Sequence, residues 1–240
     1  MTDEIYNSDN FNNEVYYKIY KAIVQQRITP GTRLIEKDLA DLFDVGRSKV
    51  REAIKHLSAM GLVKIIPNKG ALINYPSYQE IIDIFEGRIM IECSAIIKLF
   101  ELPYLSKKRM ISTLLKISEA EVNAIKRNEI STALGLSGEF HIYMVYSADN
   151  RFLFKSIEFL VPQTCIAILS SGSNITCCCL NKDHERIIES LENGSPNEAV
   201  EIVKEHFESL KKNVLDELGR KGKNHQDLNK EIFNKISNNS

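Results

Sequence analysis

The stretch Asp38–Ile54, DLADLFDVGRSKVREAI, continued at 56–74 by HLSAMGLVKIIPNKGALIN, decides the fold of this chain. Leu39, Ala40, Leu42 and Phe43 supply the apolar stripe of a first helix. Asp44 to Gly46 then break the periodicity over a length that suits a tight helix–helix turn. A second helix starts at Gly46, an acceptable N-cap but a weaker one than a hydroxyl side chain. From there Val50, Ala53, Ile54, Leu57 and Met60 recur every three or four residues, which puts Arg47, Ser48, Lys49 and Arg51 on or beside the solvent face. After Gly61, LVKIIP reads as a strand, Asn68, Lys69 and Gly70 as a turn, and ALINY as the returning strand of a small hairpin. The pattern is that of a winged helix-turn-helix, with four polar or basic side chains crowded into the first turn and a half of the second helix. A helix entering the DNA major groove meets base edges there, and Arg pairs bidentately with guanine O6 and N7. Lys69 offers charge to phosphate at the wing, and Gly70 lets backbone approach closely.

The run PGTRLIEKDLADLFDVGRSKVREAIKHLSAMGLVKIIPNKGALI resembles the winged helix-turn-helix of the GntR superfamily of bacterial transcription regulators, without a gap from Glu14 to about Tyr75. The resemblance implies that Arg47 and Arg51 read bases, that Lys37 and Lys49 assist on the DNA backbone or groove edge, and that Asn68, Lys69 and Gly70 form the wing. Gly46 and Lys49 stand where the family usually has Ser or Thr and Pro, so the operator sequence of relatives does not carry over.

Charge is distributed to match. The chain has 240 residues, 43% hydrophobic and 26% charged, and a net charge of −1. Residues 12–75 nevertheless hold 11 Lys and Arg against 6 Asp and Glu. That positive balance lies where the motif lies, and it is modest enough to expect affinity to come from dimeric binding. No stretch approaches a transmembrane helix and no leader pattern is seen, so a cytoplasmic protein is expected.

From Ser77 onward apolar residues recur at helical spacing. Helices are expected at about 77–102, 106–127, 130–147, 150–172, 182–193 and 196–218, punctuated by Pro103, Asn128, Asn150, the SSGSN run, and Gly194 with Pro196. The expected fold is mainly α: a winged helix-turn-helix of three helices plus a small β-hairpin, then an all-α bundle of six or seven helices. The expected divisions are a flexible start at 1–11, a DNA-binding domain at 12–75, a helical effector-binding and dimerisation domain at 76–218, and a polar tail at 219–240.

Three histidines of the second part share faces with apolar residues: His141 with Leu134, Ser137 and Met144, His184 with Ile187, Ile188 and Leu191, His206 with Ala199, Val203 and Leu210. A single inward His is usually a satisfied core residue. Three that converge suit Zn or another divalent transition metal. FHIYMVYSADNRFLF and HERIIESLENGSPNEAVEIVKEHFESL resemble the FCD domain of the FadR subfamily, in which an Asp and three His hold a metal at the floor of an effector pocket. The resemblance assigns His141, His184 and His206 to the metal, whereas Ser137 stands where the family has its Asp. Arg88 and Glu92 resemble the RxxLE of the first FCD helix. They read either as an ion pair one turn apart or as placing Arg88 in the pocket, where its fork grips a carboxylate effector. Asn150 reads as a helix cap. Cys93, Cys165, Cys177, Cys178 and Cys179 are too few and badly spaced for a disulfide framework. The CCC run near His184 admits a thiol sensor, but burial as small apolar residues is the plainer reading.

The resulting expectation is a homodimeric regulator, a repressor rather than an activator, that binds an inverted-repeat operator in double-stranded DNA and answers to a small carboxylate effector. Against it stand a metal-dependent helical enzyme, for which no further catalytic motif speaks, and a protein-assembly module that uses its winged helix to bind protein.

Overall fold

The computed structural model describes residues 13–24, 27–67, 70–172 and 183–220. The wing residues Asn68 and Lys69, the three consecutive cysteines at 177–179, the residues before 13 and the tail after 220 lie outside them.

The chain begins with α1 (Glu14–Val24). Asn13 starts it: its Oδ1 accepts from the backbone N–H groups of Val15 and Tyr16 at 3.1 and 3.3 Å, and its Nδ2 donates to the Lys49 carbonyl at 3.0 Å. One side chain thus caps a helix and pins it to another. A two-residue strand, β1 (Arg33–Leu34), leads into α2 (Glu36–Phe43). Asp44, left-handed at φ 51°, ends α2, and Gly46 opens α3 (Arg47–Ala59) in extended conformation with no side-chain cap. β2 (Val63–Ile66) and β3 (Gly70–Ile73) form the hairpin, with Ile66 opposite Gly70. Gly70 therefore opens the second strand, at φ +86°, instead of sitting at the wing tip. β1 pairs with β3 from the other side, giving a three-stranded antiparallel sheet in the order β1-β3-β2. Two residues show no alternation, so β1 has no sequence signature.

Val50, Ala53, Ile54 and Leu57 of α3 are buried as their spacing predicts, at 0 to 3% exposure. Leu42 is not. It was counted in the stripe of α2, but it is 72% exposed while Ala40 is buried. In so short a helix the buried arc is narrow, and Leu42 falls outside it.

Among the described residues six helices follow: α4 (Tyr78–Leu99), α5 (Tyr104–Lys126), α6 (Ile130–Tyr146), α7 (Arg151–Ser171), α8 (Asp183–Asn193) and α9 (Pro196–Arg220). Each lies within a few residues of its expected span, because the punctuation has a local cause. Ser77 and Glu80 form a capping box on α4. Asn150 accepts from the N–H groups of Phe152 and Leu153 at the start of α7, and Gly172 ends α7 in left-handed conformation. The bundle packs around Phe85, Leu114, Phe140, Val203 and Phe207, all fully buried, each contributing about 1.5–3 kcal/mol of apolar burial.

α7 belongs to two cores. Val161, Cys165 and Ile168 pack in the bundle, while Ile166 closes the winged-helix core beside Ile19, Leu57 and Ile73. Two further contacts tie the parts together. The Tyr75 hydroxyl donates to the Ser170 carbonyl at 3.0 Å, and Gly61, at φ +70°, approaches so near that a Cβ there would lie 3.1 Å from Gln163 Oε1. By length and apolar composition α7 is the one helix among the described residues that could cross a membrane. That corrects the expectation that no stretch comes close. Here the apolar residues of α7 are used on two protein cores.

Ile166→Ala should cost about 2–5 kcal/mol in urea unfolding, the range for a buried aliphatic truncation. Leu42→Ala should stay within about 0.5 kcal/mol. Equal effects at the two positions would contradict the placement of both.

Candidate functional site

Three helices bring the histidines together. His141 on α6, His184 on α8 and His206 on α9 are buried to between 2 and 8% exposure, and their ligating atoms lie within 4.8 Å of one another. Their rings nest against Phe140 and Phe207: Phe140 stacks on His184 at 4.2 Å between centroids, and Phe207 lies 4.8 Å from His206.

Each imidazole has its own carboxylate. His141 Nδ1 lies 2.7 Å from Glu92 Oε2, His184 Nδ1 lies 2.6 Å from Glu121 Oε2, and His206 Nδ1 lies 3.1 Å from Asp183 Oδ2. An ionised carboxylate only accepts, so in a neutral ring facing it the hydrogen sits on Nδ1 and Nε2 carries a lone pair. Those lone pairs face inward. His184 Nε2 and His141 Nε2 are 3.2 Å apart, and His206 Nε2 is buried with no hydrogen-bond partner among the described residues. Two apposed lone pairs at that distance repel, unless a cation stands between them. A tetrahedral Zn with bonds of about 2.0–2.1 Å holds its nitrogens about 3.3 Å apart, so the His141–His184 spacing matches two ligands of one ion, with His206 within 4.8 Å of both. Hydrogen bonding the outer ring nitrogen to a carboxylate is also how metal-binding histidines are oriented and made more basic.

Arg88 makes the ion pair that one of its two sequence readings expected. Its Nε donates to Glu92 Oε1 at 2.8 Å and its Nη2 lies 2.7 Å from that same oxygen, so the ion pair one turn apart is real. Because both nitrogens crowd one oxygen, Nη2 has no well-directed hydrogen bond although it is buried. The guanidinium also lies over the Phe207 ring, 4.3 Å from its centroid. Ser137 is half-buried one turn before His141 on α6.

Glu121 and Asp183 were missed as site residues. Glu121 did have a signal: it continues the buried stripe Met110, Ile111, Leu114, Ile117 and Ser118 of α5, a face on which a carboxylate needs a reason to be. Asp183 precedes His184 directly and had none. Of the five cysteines, Cys93 is half-buried and Cys165 fully so; burial pushes their thiols up to about 11 and about 12, the range of unreactive groups.

The second candidate site is the surface of α3. Arg47, Ser48, Lys49 and Arg51 are all exposed, as is Lys37 on α2. Among the described residues neither Arg47 nor Lys49 takes part in a salt bridge, so both charges are available to a polyanion. Gly70 is exposed at the start of β3, beside the Arg33 side chain.

Residues 11–73 match the model of the bacterial regulatory proteins of the gntR family, and residues 83–209 match the FCD domain. The chain belongs to the GntR family. It is a DNA-binding transcription regulator with a ligand-binding FCD domain, not an enzyme. Among its relatives is the HTH-type transcriptional regulator YdhC of Bacillus subtilis, 27% identical over 211 residues that cover 85% of this chain and 92% of that one. The HTH-type transcriptional repressor RspR of Escherichia coli is 28% identical over 149 residues, 62% of this chain and 64% of its own length. A GntR regulator from Rhodococcus shares the fold at a TM-score of 0.74 with 18% identity, over 84% of this chain and 96% of that one.

Burial is the main reason the protonated forms of His141 and His206 are disfavoured, His141 well below its usual 6.5 and His206 less so, because the Asp183 hydrogen bond pulls it back up. Unfolding returns both to ordinary values, so below 6.5 the unfolded chain binds more protons than the native one and stability falls with pH. Glu92, raised by burial against the pull of Arg88, acts in the opposite sense, nearer the carboxylate range. Metal-free protein should therefore show full stability above 6.5 and lose stability below it, by at most about 1.4 kcal/mol per pH unit for each such histidine and only down to its native pKa. Urea midpoints that stay flat from about pH 7.5 to 5.5 would contradict this.

Proposed function

We propose that the chain is a dimeric, sequence-specific repressor whose hold on an inverted-repeat operator is set by a small organic acid bound in the helical bundle. Residues 12–75 form the DNA-binding part in this reading, and 76–218 bind the effector and pair with a second copy. Arg47 and Arg51 read base edges, Ser48, Lys49 and Lys37 contact groove edge and backbone, and Asn68, Lys69 and Gly70 form the wing. One recognition helix reaches few bases, whereas two on a two-fold axis read a palindrome. The naming of RspR as a repressor supports the sign of regulation, and a DNA partner implies a cytoplasmic location.

The observation that carries the effector half is the group of three Nε2 lone pairs turned toward one point. His141, His184 and His206 would hold a divalent transition ion, Zn being the best fit to nitrogen ligands at this spacing. Around them Glu92, Glu121 and Asp183 stand against Arg88 and, at the edge, Arg186, 3.7 Å from Asp183 Oδ1, and the surplus negative charge is what a divalent cation would balance. Such an ion would supply Lewis acidity toward an oxygen ligand. With Ser in place of Asp at 137, no protein carboxylate completes the inner shell, which leaves room for one from the effector. Arg88, whose Nη2 has no hydrogen-bond acceptor among the described residues, would donate to the same anion.

The route to DNA is α7. Its packing in both cores means that a repacked bundle moves the helix on which the winged-helix part rests. An effector works this way only if it binds the two arrangements with different affinity.

Two measurements test the reading. Protein prepared without chelator or nickel resin should carry about one divalent ion per chain, and His184→Ala should lower its metal affinity by about 10-fold or more; metal well below one equivalent would remove the ion from the proposal. Selection from a random DNA pool should enrich a short inverted repeat, and Arg47→Ala should cost about 1–3 kcal/mol of discrimination at one position per half-site. Enrichment of unpaired single sites would count against the dimer.

A further inference from the structure

Arg51 does not stand free on α3. Its Nε donates to Glu36 Oε1 at 3.0 Å and its Nη2 to Glu36 Oε2 at 2.6 Å, two parallel bonds along one edge of the guanidinium. Glu36 is the first residue of α2, so its backbone is held by the other helix of the pair, independently of Arg51. With side chains 57% and 36% exposed, the pair adds little to stability. Its effect is geometric.

A guanidinium carries five N–H donors in a rigid planar fork. Glu36 occupies Nε and one hydrogen of Nη2. The end edge is left over: a hydrogen on Nη1 and the outer hydrogen of Nη2, parallel and pointing along the side chain. That edge offers the two donors that guanine O6 and N7 accept. The carboxylate also sits in the positive field of Arg47, one turn earlier on α3, which with the Arg51 bonds keeps it ionised. It therefore offsets the repulsion between two arginines on one helix face. A long, exposed Arg otherwise samples many rotamers, and ordering it on the base costs entropy. Gripping one edge in advance removes part of that cost.

We propose that Glu36 is a specificity-determining positioning residue, which holds the side edge of Arg51 so that the end edge is presented to a guanine in each half-site. The proposal rests on Arg51 as a base reader. It assigns to the first helix of the motif a share in base choice without a contact of its own to the base.

The test uses the full-length protein. Wild type, Glu36→Ala, Glu36→Gln and Arg51→Ala each select from a random duplex pool, and each is then titrated on the wild-type site, its single-base variants and an unrelated duplex at low salt. Arg51→Ala should lose guanine preference at one position per half-site. Glu36→Ala should lose about tenfold of the preference at that same position and at no other. Glu36→Gln, which keeps one accepting oxygen, should fall between. Binding to the unrelated duplex should be unchanged or tighter in both Glu36 variants, since an anion near the phosphates is gone. A Glu36→Ala profile identical to wild type overturns the proposal, and so does equal weakening at every position, the mark of a pair that merely braces α2 against α3. If wild type enriches nothing, or Arg51→Ala shifts no position, Arg51 is not a base reader and the proposal falls with that role. That result differs from a failure of Glu36 alone, in which Arg51→Ala still moves its one position.

Discussion

Three imidazoles lie at the centre of an apolar helical bundle, and each is tolerated there because a carboxylate takes its Nδ1 hydrogen. A buried polar group without a partner costs free energy that a fold of this size cannot repeatedly absorb. Glu92, Glu121 and Asp183 remove that cost on the outer side of the rings. In doing so they decide the inner side: once Nδ1 carries the hydrogen, Nε2 can only accept. The bundle thus makes a point where electron pairs converge and, among the described residues, no hydrogen is available to meet that of His206. Packing, tautomer and metal-binding capacity follow from one set of hydrogen bonds.

The same logic shows why Arg88 is inside. Glu92 is fully buried and serves two partners, His141 with one oxygen and Arg88 with the other. A carboxylate placed so deep needs a cation, and Arg88, one helical turn away, supplies it while leaning on the face of Phe207. The chain from Arg88 through Glu92 to His141 ties the guanidinium to the histidine cluster. An anion that met both would be sensed by one connected network rather than by two separate side chains.

At the other end of the molecule the arrangement is turned outward. α3 buries Val50, Ala53, Ile54 and Leu57 and leaves its basic first turns in solvent, so the apolar face orients the helix and the charged face remains open. α7 connects the two regimes. Cys165 and Ile166 are neighbours in sequence but pack into different cores, and helix geometry alone requires this, since adjacent side chains diverge by about 100°. A rigid helix shared in this way transmits displacement, where a flexible linker would absorb it.

Much of this was legible in the chain. The helices of the bundle end where Ser77, Asn150 and Gly172 say they should, because caps and periodicity act within a turn or two. The turn between α2 and α3 and the inward facing of His141, His184 and His206 follow from the same short-range rules. The sequence by itself therefore determined the elements, the family and the candidate ligands. Tertiary structure alone decided which groups meet. The partner of His184 is Glu121, 63 residues away on another helix, and that of Arg51 is Glu36 on the neighbouring one. Leu42 looked like core and is exposed, and β1 exists only because β3 is there to pair with it. Periodicity tells a residue which side of its own helix it occupies; it carries no information on what the next helix brings to that side, and hydrogen bonds of about 3 Å depend on that alone.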